Sequence, residues 1–194
     1  MKASVVRTTR SVTRSLKAQT VTLSASVGAM WITFAANAIL GGALLQFGIV
    51  PRTVHGLIGI VAAPFLHGSL NHLIANTIPF LIFGWLVMLR DRRHFLPVTL
   101  YAALGAGLLA WTIGAPNSIH VGASGVIFGY LGFLLLSGWY SRSFVSIVMS
   151  LGVAALWGGT VMQVLPGAAG ISWQGHLGGF IGGILAARKI RLSR

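Results

Sequence analysis

The sequence predicts an all-α membrane protein, a bundle of six transmembrane helices, and three observations carry that expectation. Of its 194 residues 55% are hydrophobic and only 8% charged, where a soluble domain carries about 25% charged residues. The apolar residues gather into long runs separated by short polar or basic connections. The fourteen Lys and Arg, set against the single acid Asp91, lie between those runs and at the two ends. On a soluble protein a net charge of +13 would suggest nucleic acid. Distributed this way it sets membrane orientation instead, and no nucleic-acid partner is expected.

Residues 1–20 carry Lys2, Arg7, Arg10, Arg14 and Lys17 among Ser and Thr with no apolar period, and read as a flexible basic tail on the cytoplasmic face. The mix also resembles a mitochondrial transit peptide, a reading outweighed by the compact bacterial look of the rest. Residues 21–47 form the first span; the run is longer than the ~7–15 residue core of a signal peptide. Residues 48–69 are apolar but broken by Pro51 and Pro64, as in a loop lying in the interface or partly re-entrant. Further spans follow at about 70–89, 95–114, 122–139, 144–164 and 172–187. Several sit near the lower limit of the ~17–25 residues a bilayer needs. The chain then ends in the basic segment 188–194. The domain organisation expected is therefore 1–20 tail, 21–187 six-helix domain and 188–194 basic cytoplasmic end.

The charge map tests this topology. With a cytoplasmic N-terminus, the tail, the 90–94 turn, the 140–143 turn and the C-terminus lie inside and hold thirteen of the fourteen Lys and Arg, leaving only Arg52 outside. The positive-inside rule asks for that distribution. It also puts Ser124, His72, Asn76 and His176, from three separate spans, at similar depth in the outer half of the membrane.

Composition then limits the chemistry. There is no cysteine, so no disulfide, thiol nucleophile or thiolate-bound metal can form. With one acid, which is expected to pair with its arginine neighbours in the 90–93 turn, paired-carboxylate catalysis and a carboxylate-supported triad are excluded. Hydrolytic machinery has to be built from Ser, His, Asn and backbone groups.

Three stretches supply such groups. Ser124 lies between Gly122 and Gly125 where a polar connection gives way to a helix, leaving room for a substrate backbone; alone, this is also an ordinary small-residue packing face. His72 and Asn76, four apart, share one helix face and would be costly against lipid; either alone could be polar glue between helices. His176 adjoins a stripe of Gly175, Gly179 and Gly183, along which another helix can pack closely and hold the imidazole as a general base requires. If that helix is the one opening at Ser124, the two side chains come within reach. A metal held by His67, His72 and His176 is disfavoured, since no carboxylate lies nearby and Asn76 is a poor zinc ligand.

Taken together, His67-x4-His72-x3-Asn76, Gly122-x-Ser124-Gly125 and His176 followed by the glycine ladder resemble a rhomboid intramembrane serine protease of the basic six-span bacterial type, over about residues 48–187. The resemblance implies Ser124 as nucleophile and His176 as general base. It implies an oxyanion site at the backbone N–H of Ser124 with the side chains of His72 and Asn76. His67, Gly122, Gly125, Phe128, Gly179 and Gly183 would give structural support. Many members have tyrosine four residues after the nucleophile; here that position is Phe128. The resemblance further implies transmembrane protein substrates within the lipid bilayer, no cofactor and no metal, and an integral protein of the bacterial inner membrane with both termini cytoplasmic. The rival readings are a catalytically inactive rhomboid-like protein that binds or chaperones membrane proteins, which would lack the nucleophile or base, and a small transporter, which the apolar inner halves of the spans oppose.

Overall fold

The computed structural model describes residues 2–141, 143–167 and 170–192, with side chains for 16–140, 143–167 and 170–190. Arg142 of the expected 140–143 turn and the last two residues of the basic C-terminal segment lie outside the described residues. Among the described residues the regular structure is helical, with one isolated antiparallel bridge between Ile49 and His120.

Helix α1 runs from Lys2 to Ile39. It takes in residues expected as tail and stops well before residue 47, where the apolar run ends. The stop is a backbone event: Gly41 and Gly42 have φ of 62° and 90°, a conformation glycine adopts without steric cost. Asn37 secures it, its side-chain oxygen accepting from the Leu44 N–H at 3.0 Å. Residues 43–47 then form a 3-10 turn.

The proline-broken stretch after it folds into short turns at His55–Leu57 and Ala63–Phe65 around a single-turn helix, α2 (Gly59–Ala62). Helix α3 (Leu70–Arg90) starts where the Ser69 side chain accepts from the His72 N–H, and it ends at the turn bearing Asp91. There Arg93 donates to both Asp91 carboxylate oxygens, which holds that carboxyl's pKa down to about 2. Helix α4 spans Phe95–Ile113. Arg52, the one basic residue expected on the outer side, donates to the carbonyls of Thr112 and Gly114 at 3.2 and 2.8 Å. A cation at a helix C-terminus satisfies carbonyls that the helix itself leaves open. Helices α5 (Ser124–Ser141), α6 (Phe144–Trp157) and α7 (Trp173–Leu192) complete the bundle, with a 3-10 segment, Gly158–Val164, after α6.

Helix α5 lies at the centre. Its residues from Gly125 to Leu135 are all buried apart from the partly exposed Leu135, and it packs against α3, α4, α6 and α7. The closest approach is to α7: a Cβ on Gly179 would overlap the Gly125 carbonyl oxygen, and one on Gly183 the Gly129 carbonyl oxygen. Only glycine permits backbones that near. On the α4 side, buried Tyr130 bonds Thr99 through their hydroxyls at 2.7 Å.

The outward faces of α1, α3, α4 and α6 are apolar, with residues such as Ile32, Ile78, Leu104 and Leu151 exposed. Such continuous apolar surface suits hydrocarbon rather than water. Among the described residues four helical segments are long and apolar enough to cross a membrane: Leu16–Ile39, Leu70–Arg90, Arg92–Ile113 and Phe144–Val164. The segments Ser124–Tyr140 and His55–Phe65 are apolar but shorter. The protein is an all-helical integral membrane protein.

Candidate active site

Ser124 is the first residue of α5. The chain reaches it through Gly122, at φ 112°, whose N–H is fixed by the Ala63 carbonyl at 2.8 Å. A Cβ on Gly122 would stand 2.5 Å from His72 Nε2 and 3.8 Å from Asn76 Nδ2. The missing side chain is therefore what lets the polar face of α3 close on the loop before the serine. Asn76 is buried and donates from Nδ2 to the His72 carbonyl at 2.8 Å, which fixes its amide and leaves its second N–H for another acceptor. His67 is fully buried beside them, edge-on to His72 with ring centroids 5.1 Å apart.

His176 stands in the first turn of α7 and is 5% exposed. Three contacts fix its imidazole. Nε2 lies 2.9 Å from Ser124 Oγ. Nδ1 lies 3.1 Å from the Gln163 carbonyl oxygen. The ring is stacked on Phe128, centroids 4.1 Å apart and planes at 10°. A carbonyl oxygen can only accept, so the proton of the neutral ring sits on Nδ1. Nε2 is then left to accept from the serine hydroxyl. In a carboxylate-supported triad an acid performs that orienting task; here a main-chain carbonyl and an aromatic face do so.

These groups border one cavity of about 750 Å³, which Ser124, His176, His72 and Asn76 all line. That volume is far above the ~30 Å³ share of one water, so it has room for a peptide-sized group together with water. Among the described residues no group of three or more His, Cys, Asp or Glu converges as metal ligands.

A family model described as the Rhomboid domain matches residues 54–192, nearly three quarters of the chain. The chain belongs to the rhomboid family. It is 38% identical over 174 residues to the uncharacterized protein Rv1337 of Mycobacterium tuberculosis, covering 86% of this chain and 72% of that one. The uncharacterized protein ML1171 of Mycobacterium leprae is 41% identical over 137 residues, 66% of this chain and 54% of the relative. Rhomboid-like protein 11, chloroplastic, of Arabidopsis thaliana is 32% identical over 115 residues, 58% of this chain and 40% of the relative.

The rhomboid match takes in every side chain described at the site. Two features of this rhomboid were not visible in the sequence. The Gln163 carbonyl is a main-chain group of the 3-10 segment Gly158–Val164, outside the helix that carries His176, and residue identity carries no signal for it. The bond between His120 and Ser172, which both line the same cavity, joins a polar connection to the first residue of the expected 172–187 span, a pairing that sequence does not register.

Proposed function

We propose that this rhomboid is an intramembrane serine endopeptidase that cleaves transmembrane segments of other membrane proteins with a Ser124–His176 dyad. The observation that carries the reading is the serine hydroxyl 2.9 Å from an imidazole nitrogen whose other nitrogen is held by a carbonyl acceptor. Ser124 Oγ attacks the scissile carbonyl as His176 Nε2 takes its proton. The oxyanion that develops is met by the Ser124 N–H, His72 Nε2 and the Asn76 amide, at the positive end of α5. His176 then returns the proton to the leaving amine, and a water activated by the same nitrogen hydrolyses the acyl-enzyme.

In this reading six helices, α1 and α3–α7, span the bilayer, with the basic segments 1–20 and 188–194 on the cytoplasmic side. The cavity then opens to the outer face, as hydrolysis within a bilayer requires, since lipid excludes water. Support comes from the positive-inside distribution of Lys and Arg. A bacterial inner membrane is the setting that the mycobacterial relatives favour. No metal or other cofactor takes part.

The test uses protein purified in detergent with a model transmembrane substrate, beside Ser124→Ala and His176→Ala. Cleavage is expected from the unaltered protein and absent from both variants. Cleavage that persists in Ser124→Ala overturns the serine mechanism, and activity lost to a chelator and restored by zinc would replace it with a metal mechanism. A folded protein that cleaves nothing but still binds the substrate would fit an inactive, membrane-protein-binding role.

A further inference from the structure

Beside the Ser124–His176 pair stands a second serine–histidine pair with the identities exchanged. His120 lies four residues before Ser124 and Ser172 four residues before His176, so both pairs are 52 residues apart. His120 Nδ1 is 2.7 Å from Ser172 Oγ, and His120 Nε2 is 2.9 Å from Ser118 Oγ.

The proton directions in this pair are determined. Ser118 Oγ donates its one proton to the Ala115 carbonyl at 2.7 Å, so it accepts from His120 Nε2–H. Nδ1 of the neutral ring is then an acceptor, and Ser172 Oγ–H donates to it. Ser172 Oγ accepts in turn from the Gly175 N–H at 3.2 Å, the bond of a helix N-cap. Its carbonyl accepts from the His176 N–H at 3.0 Å. One serine thus holds the first turn of α7, including the backbone of His176, and His120 holds that serine.

His120 is itself anchored. Its N–H and carbonyl exchange bonds with Ile49, both at 2.9 Å. A Cβ on Gly114 would stand 2.7 Å from its Nε2, so the ring fills space that only glycine leaves. The imidazole therefore ties the loop leading into Ser124 to the start of the helix that carries His176.

We propose that His120 is a positioning residue, which through Ser172 keeps the entrances of α5 and α7 in register and so maintains the Ser124–His176 distance. The proposal rests on the reading of Ser124 and His176 as the catalytic dyad. The need for such a clamp follows from their location. Both stand in the first turn of a helix, where the helix itself leaves N–H groups unbonded, and a misplacement of about 1 Å at a reacting centre can cost ~100-fold in rate.

The experiment compares His120→Ala, His120→Asn and His120→Gln. In asparagine Oδ1 takes the place of Nδ1 and can still accept from Ser172; in glutamine the amide sits nearer the place of Nε2 and serves Ser118. With a transmembrane substrate, His120→Ala is expected to lower kcat about tenfold at unchanged KM. A serine-directed fluorophosphonate should label it more slowly but to the same final extent. His120→Asn should recover most of the rate and His120→Gln little of it. An unchanged kcat overturns the proposal. So does a rise in KM alone, which would mark a substrate contact, or a smaller labelled fraction reacting at the original rate, which would mark a purely structural role. Should the unaltered protein neither cleave nor label, the protease reading fails separately. Amide exchange at Gly175 and His176 then decides the clamp: faster exchange in His120→Ala, restored in His120→Asn, upholds it, and equal exchange in all variants overturns it.

Discussion

Phe128 lies flat against the imidazole of His176, ring centroids 4.1 Å apart and planes within 10° of parallel. Four residues separate it from Ser124, so one turn of α5 presents the hydroxyl and the next presents the face on which its partner rests. The ring is buried, at 3% exposure, so the stack also excludes water from one side of the base.

Phe128→Tyr keeps the stack and adds the hydroxyl that many rhomboids carry. Since orientation is already supplied by the Gln163 carbonyl at 3.1 Å, kcat is expected to change by less than about threefold. Phe128→Ala removes the face altogether and should cost ~3–5 kcal/mol of stability. A large rate change in the tyrosine variant, measured with a transmembrane substrate, would mean that packing does not set the base by itself.

In the proposed mechanism, His72→Ala and Asn76→Ala each remove a donor that meets the oxyanion. Each is expected to lower kcat by roughly 100- to 1,000-fold, or ~3–4 kcal/mol, with KM little altered. Steady-state kinetics separate this from a substrate-binding role, in which KM would rise instead.

Gly179→Ala and Gly183→Ala push a methyl group into the carbonyl oxygens of Gly125 and Gly129. Main chain on both sides leaves nothing flexible to yield, so each should cost at least ~1–3 kcal/mol and spread the helices that carry Ser124 and His176. Gly152→Ala in α6 is the control: nothing lies within 4 Å of its Cβ position. That variant should be neutral or gain up to ~1 kcal/mol. Thermal unfolding in detergent measures all three.

Tyr130→Phe tests a bond distant from the chemistry. Thr99 Oγ donates to the Phe95 carbonyl at 2.6 Å, so the Tyr130 hydroxyl donates to Thr99 at 2.7 Å. Losing that bond in the buried α4–α5 contact should cost ~1 kcal/mol and leave kcat and KM unaltered. A fall in kcat would mean that the α4–α5 contact also sets the dyad.

Much of this organisation was legible in the sequence because membrane proteins separate their signals. Apolar runs mark helices, and the Gly175–Gly179–Gly183 stripe marks a close helix contact whose partner is α5. What could not be read depends on backbone conformation and distant pairing. Residues 21–47 carry no charge and are mostly apolar, yet α1 ends at Ile39 because two glycines turn left-handed there. Composition does not register such a turn. Likewise, His120 looks like any loop histidine until the Ile49 bridge and Ser172 give its ring fixed partners. Arg52, the exception in the charge map, is accounted for by the α4 carbonyls it caps.

The central claim, that Ser124 is a nucleophile activated by His176, is tested most directly by mapping the site of a fluorophosphonate adduct by mass spectrometry. The account predicts one adduct, on Ser124, in the unaltered protein and none in folded His176→Ala. An adduct on another residue, or undiminished labelling of Ser124 without His176, would contradict it.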